Sequence, residues 1–482
     1  MPLVIPSNSQ SASGYTIGQS IRFNDDDTAY MHRTPSSSGN RDKWTWSSWI
    51  KRGNLTDANA TLFQAGDDSQ SANYTTILFN GNSGGIPNLK FNSVIGSSTK
   101  LNLQTTQYFR DVSAWYHIVC VYDSDNDVST ERARIYINGS RVTDFSTETY
   151  PSQNQDSMTN HTVKQSIGRR NQDSSRYMDG YMAEIHLLDG YAYDPSFFGE
   201  FNDSGIWIPK QYTGSYGTNG FKIDGRDSSD LGDDESGQGN DYTTTGMAAH
   251  DQVLDSPTNN FAIYNIMDNF TQGATFSNGN LERTRSGSNR SATMSNIGMN
   301  SGKWYCEIYI ASHFQTTTMV GVQGYRTDAE AEWPGNGVTN QGVGYYMSNG
   351  YKYINGSGST YGNTYAVGDI IGIALDLDNE FVYFSKNGTF QDSGDPTSGS
   401  SGTGGIDIVT SPANTETGFW FFAIGDGSTN SGSRSSIINF GQEGTFAGNV
   451  TAGGNSDGNG IGNFKYSVPS GYLALCTKNL GS

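Results

Sequence analysis

The sequence predicts an all-β protein built from two tandem antiparallel β-sandwiches joined by an irregular connector, and its composition supports this. The 482 residues include 60 glycines, 12% aromatic residues and only 16% charged residues. An average globular protein has about 7% glycine and about 25% charged residues. Aromatic residues favour strands and glycine favours tight turns, whereas a helical bundle would be rich in Ala, Leu, Glu and Lys. The length fits two or three domains.

The first half carries strand patterns in a regular order, namely 43–50, 115–122, 133–142 and 180–188. The first of these alternates at period two and places Trp44, Trp46 and Ile50 on one face. The second is apolar on both faces, which is typical of a central strand in a sandwich. The third contains Asn138-Gly139, a pair that tolerates the positive φ angles of a type I′ hairpin turn.

The second half repeats this style, with strand patterns at 303–310, 319–324, 342–346, 370–377, 381–390, 419–424 and 435–440. The first segment alternates in polarity, and 370–377 is apolar on both faces. Asn387-Gly388 predicts a second type I′ hairpin.

Changes in composition divide the chain into an N-terminal arm at 1–14, a first sandwich at 15–203, a connector at 204–268, a second sandwich at 269–446, and a Gly/Asn-rich lead with a C-terminal tail at 447–482. The middle of the connector is rich in Asp, Gly and Ser, which indicates loop structure. Aromatic residues flank it, so we expect it to be pinned to a domain.

The charge and the cysteines limit the classes of partner. A net charge of −19 repels phosphate backbones and anionic lipids, so nucleic acid and membrane surfaces are not expected as partners. The start of the chain lacks the basic and apolar regions of a secretion signal. Cys120, Cys306 and Cys476 match no zinc or redox spacing, so we expect small core residues in a protein made in a reducing cytosol.

Two family resemblances follow from these segments. Residues from about 15 to 200 resemble laminin-G-like jelly rolls of the concanavalin type, on the segments 44–50, 115–123, 135–139 and 180–188. Residues from about 270 to 441 resemble SPRY domains, on the segments 302–307, 320–322, 367–376, 381–388 and 419–427. Both resemblances imply a two-sheet sandwich.

The tandem arrangement also resembles structural proteins of tailed phages of marine bacteria. In those proteins a jelly roll, a Trp-Ile-Pro-Lys connector, a SPRY domain and a short tail occur together. Here the connector motif stands at 207–210 and the tail motif at 469–476. The resemblance implies a virion surface protein made in the host cytoplasm, a fibre, spike or head-decoration subunit. Its expected partners are other virion proteins, a host-surface glycan and further copies of the chain, with a trimer as the assembly that the resemblance implies.

The sequence contains one candidate for a catalytic site, the segment with Glu184, His186 and Asp189. Jelly-roll glycosidases use paired carboxylates on one strand face. In a regular strand Glu184 and His186 share a face, whereas Asp189 lies on the opposite one. We therefore expect no enzyme. No other arrangement of nucleophile and base, and no metal spacing among the six histidines, points to catalysis.

Calcium is the one ion that the sequence suggests, although no cofactor is required. Jelly-roll rims hold calcium through carboxylates and backbone carbonyls. The candidate ligands follow two strands: Asp67, Asp68, Asp123, Asp125 and Asp127. The glycine and the distal glutamate of a calcium loop are missing after the second group, so solvated turns are the alternative.

Glycan binding needs aromatic side chains beside polar groups at the loop end of a sandwich. The candidates all lie in the second half: Tyr325, Trp333, Tyr351, Tyr353 and Tyr361. Trp333 lies in a loop between strands, where an exposed tryptophan indicates use. The alternative is that Trp333 covers the core.

We favour a virion surface protein with a carbohydrate- or host-binding role. The alternatives are a structural cement subunit without a ligand, a polysaccharide depolymerase and a bacterial adhesin. They predict, in that order, a large apolar interface, a cleft with paired carboxylates, and a signal peptide with an anchor.

Overall fold

The computed structural model describes residues 14–53, 55, 59–68, 71–81, 87–267, 273–287, 291–313, 315–324, 333–335, 342–408, 418–426 and 432–481. The chain divides into two compact units, Gln10–Asn260 and Phe261–Ser482. The predicted all-β class is confirmed, because each unit consists of β-sheets whose strands are antiparallel except for one short pair in the second unit. Helical structure in these ranges is limited to short 3₁₀ turns and one α-helix, at Ser129–Glu131, Pro195–Phe197, Ala249–Asp251, Gly399–Ser401 and α1 Thr477–Leu480. None of the described helices is long and apolar enough to span a membrane.

The strands of the first unit are β1 Ser20–Phe23, β2 Tyr30–Arg33, β3 Lys43–Arg52, β4 Asn59–Ala65, β5 Tyr74–Asn80, β6 Asn88–Ile95, β7 Ser98–Tyr108, β8 Trp115–Asp123, β9 Ala133–Ile137, β10 Ser140–Arg141, β11 Phe145–Thr149, β12 Gln165–Ile167, β13 Gly180–Asp189, β14 Gly199–Phe201, β15 Trp207–Pro209, β16 Phe221–Ile223, β17 Thr243–Thr245 and β18 Gln252–Val253. The β3 sheet has the order β10-β9-β8-β3-β13-β1-β18, with β16 also paired to β13. The β5 sheet has the order β11-β7-β6-β5-β4-β12-β2-β17.

The core of the first unit lies between these two sheets. Trp44, Trp46 and Ile50 point into it from β3, as the alternation predicts. The Trp44 ring lies edge-on to Phe91 of the β5 sheet, with ring centroids 5.5 Å apart. Trp46 meets Phe63 of the same sheet at 6.5 Å. Such aromatic pairs add to the free energy of apolar burial, so the two inner faces form one sandwich core.

The two predicted Asn-Gly hairpins are confirmed by their backbone angles. Asn138 and Gly139 have φ angles of 47° and 77°, and Asn387 and Gly388 have 50° and 81°. Both central residues of a type I′ turn need positive φ. All three cysteines are buried, as expected of small core residues, and none of them is in a disulfide.

The segment 204–260, predicted as a connector, belongs to the first unit. Its short strands pair with the sandwich: β16 with β13, β17 with β2 and β18 with β1. Two buried ion pairs tie it further, Arg22 with Asp251 at 3.2 Å and Lys51 with Asp255 at 2.6 Å. The first unit therefore extends to Asn260 rather than to the predicted boundary at 203.

The strands of the second unit are β19 Ala274–Ser277, β20 Glu282–Arg285, β21 Ser291–Met294, β22 Lys303–Ser312, β23 Thr318–Gly324, β24 Gly342–Tyr346, β25 Tyr351–Ile354, β26 Ser357–Thr360, β27 Ile370–Asp376, β28 Phe381–Lys386, β29 Thr389–Phe390, β30 Ile406–Asp407, β31 Trp420–Asp426, β32 Arg434–Asn439 and β33 Leu473–Ala474. One sheet has the order β19-β20-β32-β22-β27-β28-β29, with β30 paired to β28 and β33 to β22. The other has the order β21-β31-β23-β24-β25-β26.

The predicted C-terminal tail packs onto this second unit. β33 runs parallel to β22, and the backbone N–H groups of Lys465 and Tyr466 donate to Glu307 at 2.8 Å. Tyr305 and Glu307 are consequently buried, although the alternation in 303–310 predicts an outward face for them. The tail supplies the cover that local periodicity cannot show.

Candidate functional site

The outward face of the β5 sheet carries a polar floor. Strand register places two rows of side chains across β4, β5, β6 and β7, namely Gln64, Thr76, Asn92 and Asn102 in one row and Thr61, Leu78, Lys90 and Gln104 in the next. Their neighbours Ile77 and Phe91 point into the core, and side chains alternate between the two faces of a strand. The floor is therefore fixed by the same alternation that builds the sandwich.

A loop that follows β12 forms a wall beside this floor. Arg170 and Ser175 pair as an antiparallel bridge, and buried Asn171 donates to the Gly66 carbonyl at 2.6 Å. The N–H of Thr61 donates to the carbonyl of Arg176 at 3.0 Å, which joins the loop to β4. Arg176 has a φ angle of 58°, a conformation that a non-glycine residue rarely adopts without support from its surroundings.

Floor and wall enclose a groove of about 200 Å³, lined by Thr61, Gln64, Tyr74, Thr76, Leu78, Asn80, Lys90, Asn92, Arg170, Gln172 and Arg176. Small-molecule pockets usually hold roughly 300–1,000 Å³, so the groove suits a short part of a ligand. Its side chains offer amide donors and acceptors, hydroxyls and one aromatic ring.

Basic side chains dominate the electrostatics of this groove. Burial lowers the pKa of Lys90, and the charge of Arg176 adds to that effect. Burial also lowers the pKa of Arg176, with a further contribution from Arg170. Among the described residues, the carboxylate within ion-pair distance of these cations is that of Asp173, which lies 3.5 Å from the Arg170 guanidinium and is half exposed. The groove therefore holds concentrated positive charge.

A second polar cluster lies on the outer face of the β3 sheet. Glu184 has a φ angle of 50° and interrupts the register between β3 and β13. His186 Nε2 lies 3.2 Å from Glu184 Oε2 and its Nδ1 lies 2.9 Å from the Tyr216 hydroxyl. Lys222 Nζ lies 3.2 Å from Glu184 and 3.1 Å from Asp224. The predicted common face of Glu184 and His186 is thus confirmed.

This cluster is built as a closed ion-pair network. Burial disfavours charge on Glu184, but the hydrogen bond and charge of His186 and the charge of Lys222 outweigh it and lower its pKa to about 2. The side chains around it leave no enclosed space large enough for a water molecule. Asp189 lies apart and accepts from the N–H groups of Asn40 at 2.7 Å and Asn219 at 2.9 Å. At neutral pH the Glu184 carboxyl is therefore ionised and is not in the protonated form that a general acid needs.

His117, on the same outer face, is also held by hydrogen bonds to neighbouring side chains. The Trp207 indole Nε1 donates to His117 Nδ1 at 3.0 Å, so the ring proton lies on Nε2, which donates to Ser47 Oγ at 2.9 Å. Burial, with the nearby His186, lowers the pKa of His117 to about 3. The ring is neutral and has both nitrogens paired.

The aromatic residues predicted as a glycan site in the second half differ in their exposure to solvent. Tyr361 is only 5% exposed, and its hydroxyl accepts from the Phe384 N–H at 3.1 Å, so it is a core residue and offers no ring face to a sugar. Tyr351 is 37% exposed, whereas Trp333 and Tyr353 are half-buried. Tyr325 lies outside the described residues. A platform at Tyr351 and Tyr353 stays a prediction.

The calcium candidates are engaged with other groups. Lys43 Nζ lies 3.5 Å from Asp123 and 2.9 Å from Asp125, and the remaining candidates contact cations, an amide or a backbone N–H: Asp68 with Lys164 and Arg169, Asp127 with Gln153, and Asp67 with the N–H of residue 164. The described part of the chain contains no group of three His, Cys, Asp or Glu side chains that could hold a metal ion.

Sequence reasoning missed the groove. Its floor residues occupy alternate positions of strands whose inward partners are apolar, a pattern visible in 74–80 and 88–95. Its wall residues follow about 80 positions later, and no spacing rule connects them to the floor. The exposed aromatic residues that the sequence predicts for a glycan site lie in the second unit instead.

Comparison with family models agrees with the two folds. Residues 25–192 match the family described as the concanavalin A-like lectin/glucanases superfamily, and residues 303–417 match the SPRY domain. The chain thus carries a concanavalin A-like domain followed by a SPRY domain, as the resemblances predict. A search of curated proteins found no match.

Solved structures resemble parts of the chain at low sequence identity. The SPRY domain of human HERC1 is 19% identical with a TM-score of 0.29, and the match covers 36% of this chain and 96% of that one. A SAP-like pentraxin of Limulus polyphemus is 14% identical with a TM-score of 0.28, covering 43% and 96%. Domain 4 of AbnA, an arabinanase of Geobacillus stearothermophilus, is 19% identical with a TM-score of 0.25, covering 33% and 65%. At these identities the likeness concerns the fold alone.

Proposed function

We propose that the chain is a non-catalytic carbohydrate-binding protein of a phage virion surface, and that the groove on the β5 sheet is its glycan site. The observation that carries the glycan site is the groove itself, about 200 Å³ in volume and lined by amides, hydroxyls, Tyr74 and basic side chains. Sugars present many hydroxyls that need donors and acceptors at fixed positions, which side chains on a rigid sheet supply. The name of the family that matches 25–192 is consistent with this role.

Binding rather than hydrolysis is favoured by the composition of the groove. Glycosidases act with two carboxyl groups on either side of the bond, and the described residues that line the groove include no Asp or Glu. The buried Glu184 is held ionised beside His186 and has no adjoining space. These features support a protein that holds a glycan without cleaving it.

The virion role rests on the tandem resemblance across nearly the whole chain. In this proposal the protein assembles with other virion proteins in the host cytoplasm and is displayed on the particle as a fibre, spike or decoration subunit. Several copies, in a trimer by analogy with phage fibres, would raise the avidity of individually weak glycan contacts. Neither calcium nor another cofactor is required.

The glycan site is tested by measuring binding of the full chain to a panel of neutral and acidic oligosaccharides. We expect binding to at least one member, with Tyr74→Ala and Asn92→Ala each weakening it roughly tenfold by removing a ring or a paired amide. Tyr351→Ala is the matched control in the second unit. Full binding by both groove variants would contradict the proposed site, and loss with Tyr351→Ala alone would transfer the site to the second unit.

The virion role is tested separately, by immunogold labelling of purified particles with an antibody against the chain. Regular labelling of the head or tail surface is expected. An absence of the chain from intact, infectious particles would contradict the assignment while leaving the glycan site untouched.

A further inference from the structure

The basic side chains of the groove lie on separate elements yet converge on one space. Lys90 projects from β6 in the floor, and Arg170 and Arg176 project from the loop that forms the wall. Arg170 Nε donates to Gln172 Oε1 at 3.2 Å, and Gln172 is itself bound by Gln64 at 2.5 Å. Side-chain contacts therefore position the wall against the floor before any ligand arrives.

The pairing of these partly buried basic groups differs from that of the fully buried cations of the same unit. Lys51 has Asp255 at 2.6 Å, and Arg22 has Asp251 at 3.2 Å. Within the described part of the chain, by contrast, no carboxylate lies within ion-pair distance of Lys90 or Arg176, and Arg170 reaches only the half-exposed Asp173. Like charges that lie close together in a partly buried site destabilise the fold unless an oppositely charged group binds among them.

This concentration of positive charge contrasts with the negative net charge of the whole protein. With 48 acidic and 29 basic residues, the chain as a whole repels polyanions. A general affinity for anions is therefore not expected, and any anion that binds must do so at a local site.

We infer that the groove selects an anionic glycan, one whose sugar carries a carboxylate or a sulfate group placed between Lys90 and the arginines of the wall. The inference rests on the proposed function and names its ligand class. A guanidinium offers paired N–H donors to carboxylate or sulfate oxygens. The amides of Asn92 and Gln64 remain beside it for the sugar hydroxyls.

The test compares pairs of ligands that differ in charge alone. Binding of the full chain is measured against short oligogalacturonates and their neutral methyl esters, against dextran sulfate and dextran, and against a single-stranded DNA oligonucleotide. We expect at least tenfold tighter binding of the charged member in one or both sugar pairs. Lys90→Gln and Arg176→Gln should each reduce that preference roughly tenfold. Lys210→Gln, the same charge change at an exposed residue on another part of the unit, is the matched control.

Each outcome decides the inference. A preference confined to one pair identifies carboxylate or sulfate as the charged group. Equal affinity within both pairs overturns the inference while the proposed glycan site stands, whereas no binding to any sugar removes the proposed function as well. A charge preference that survives both groove variants, or equally tight binding of DNA, also overturns it. Circular dichroism spectra that match wild type establish that the variants are folded.

Discussion

Acid should destabilise the first unit through Glu184, by an amount that follows from its surroundings. The pKa of this carboxyl falls from an ordinary 4.5 to about 2 in the folded protein. Because the folded pKa is depressed, the stabilisation is complete above pH 4.5 and is lost as pH falls towards 2. At 1.36 kcal/mol for each pKa unit, the loss is about 3 kcal/mol. The side chain is only 9% exposed, so screening by solvent removes little of it.

The assay is urea unfolding of wild type and Glu184→Gln between pH 7 and pH 2. Glutamine cannot carry the charge that Lys222 and His186 face, so the free energy of unfolding of the variant should depend less on pH, by about 3 kcal/mol across this range. Glu200→Gln, at a half-exposed carboxylate of the same unit, should follow wild type. Parallel curves for wild type and Glu184→Gln would refute the reasoning.

Three further predictions concern other contacts. Glu307→Ala removes the acceptor of two backbone N–H groups of the C-terminal segment. The change should lower the free energy of unfolding by about 2 kcal/mol or more and speed proteolysis of that segment. An unchanged rate of cleavage would show that these hydrogen bonds do not hold the segment in place. Gly139→Ala should lower Tm more than Gly205→Ala, because both have positive φ but only the first would place a Cβ 2.3 Å from a tryptophan ring; equal losses would contradict that packing. Millimolar calcium or a chelator should leave Tm unchanged, since Lys43 already neutralises the acids at 123–125; a calcium-dependent rise would restore the calcium site.

Much of the sandwich can be predicted from the sequence, because the polarity pattern of a long strand shows which of its side chains are buried. The alternation of Trp44 and Trp46, and the two-sided apolar pattern of β8, both agree with the structure. The short strands of 204–260 are different. β16 and β17 have three residues each, too few to show a period, and their pairing is decided by partners far away in sequence. A polar composition therefore looks like a linker although the segment is folded.

The candidate site shows the same division between local and distant information. The floor could be found from strand alternation, because residues such as Thr76 and Asn92 occupy outward positions. The wall could not, because Arg170 and Arg176 acquire their meaning only when the loop lies against β4. Tyr361 illustrates the opposite error, since an aromatic residue in a glycine-rich stretch can still be drawn into the core by a contact such as that with Phe384.

The closure of each unit by its two ends constrains how the chain is made. β1 pairs with β18 through Ser20 and Val253, and Phe261 bridges Cys476 in the second unit. The match to the concanavalin A-like family ends at residue 192, whereas the first unit ends at Asn260. At a synthesis rate of about 5–20 residues per second, the ribosome needs roughly 3–14 s to add the residues between these two points. During that interval β18 has not yet been made to pair with β1, and Asp255 is not yet present to pair with Lys51. An unpaired strand edge can pair with another chain, so the nascent protein is most exposed to misassembly before β18 has been made.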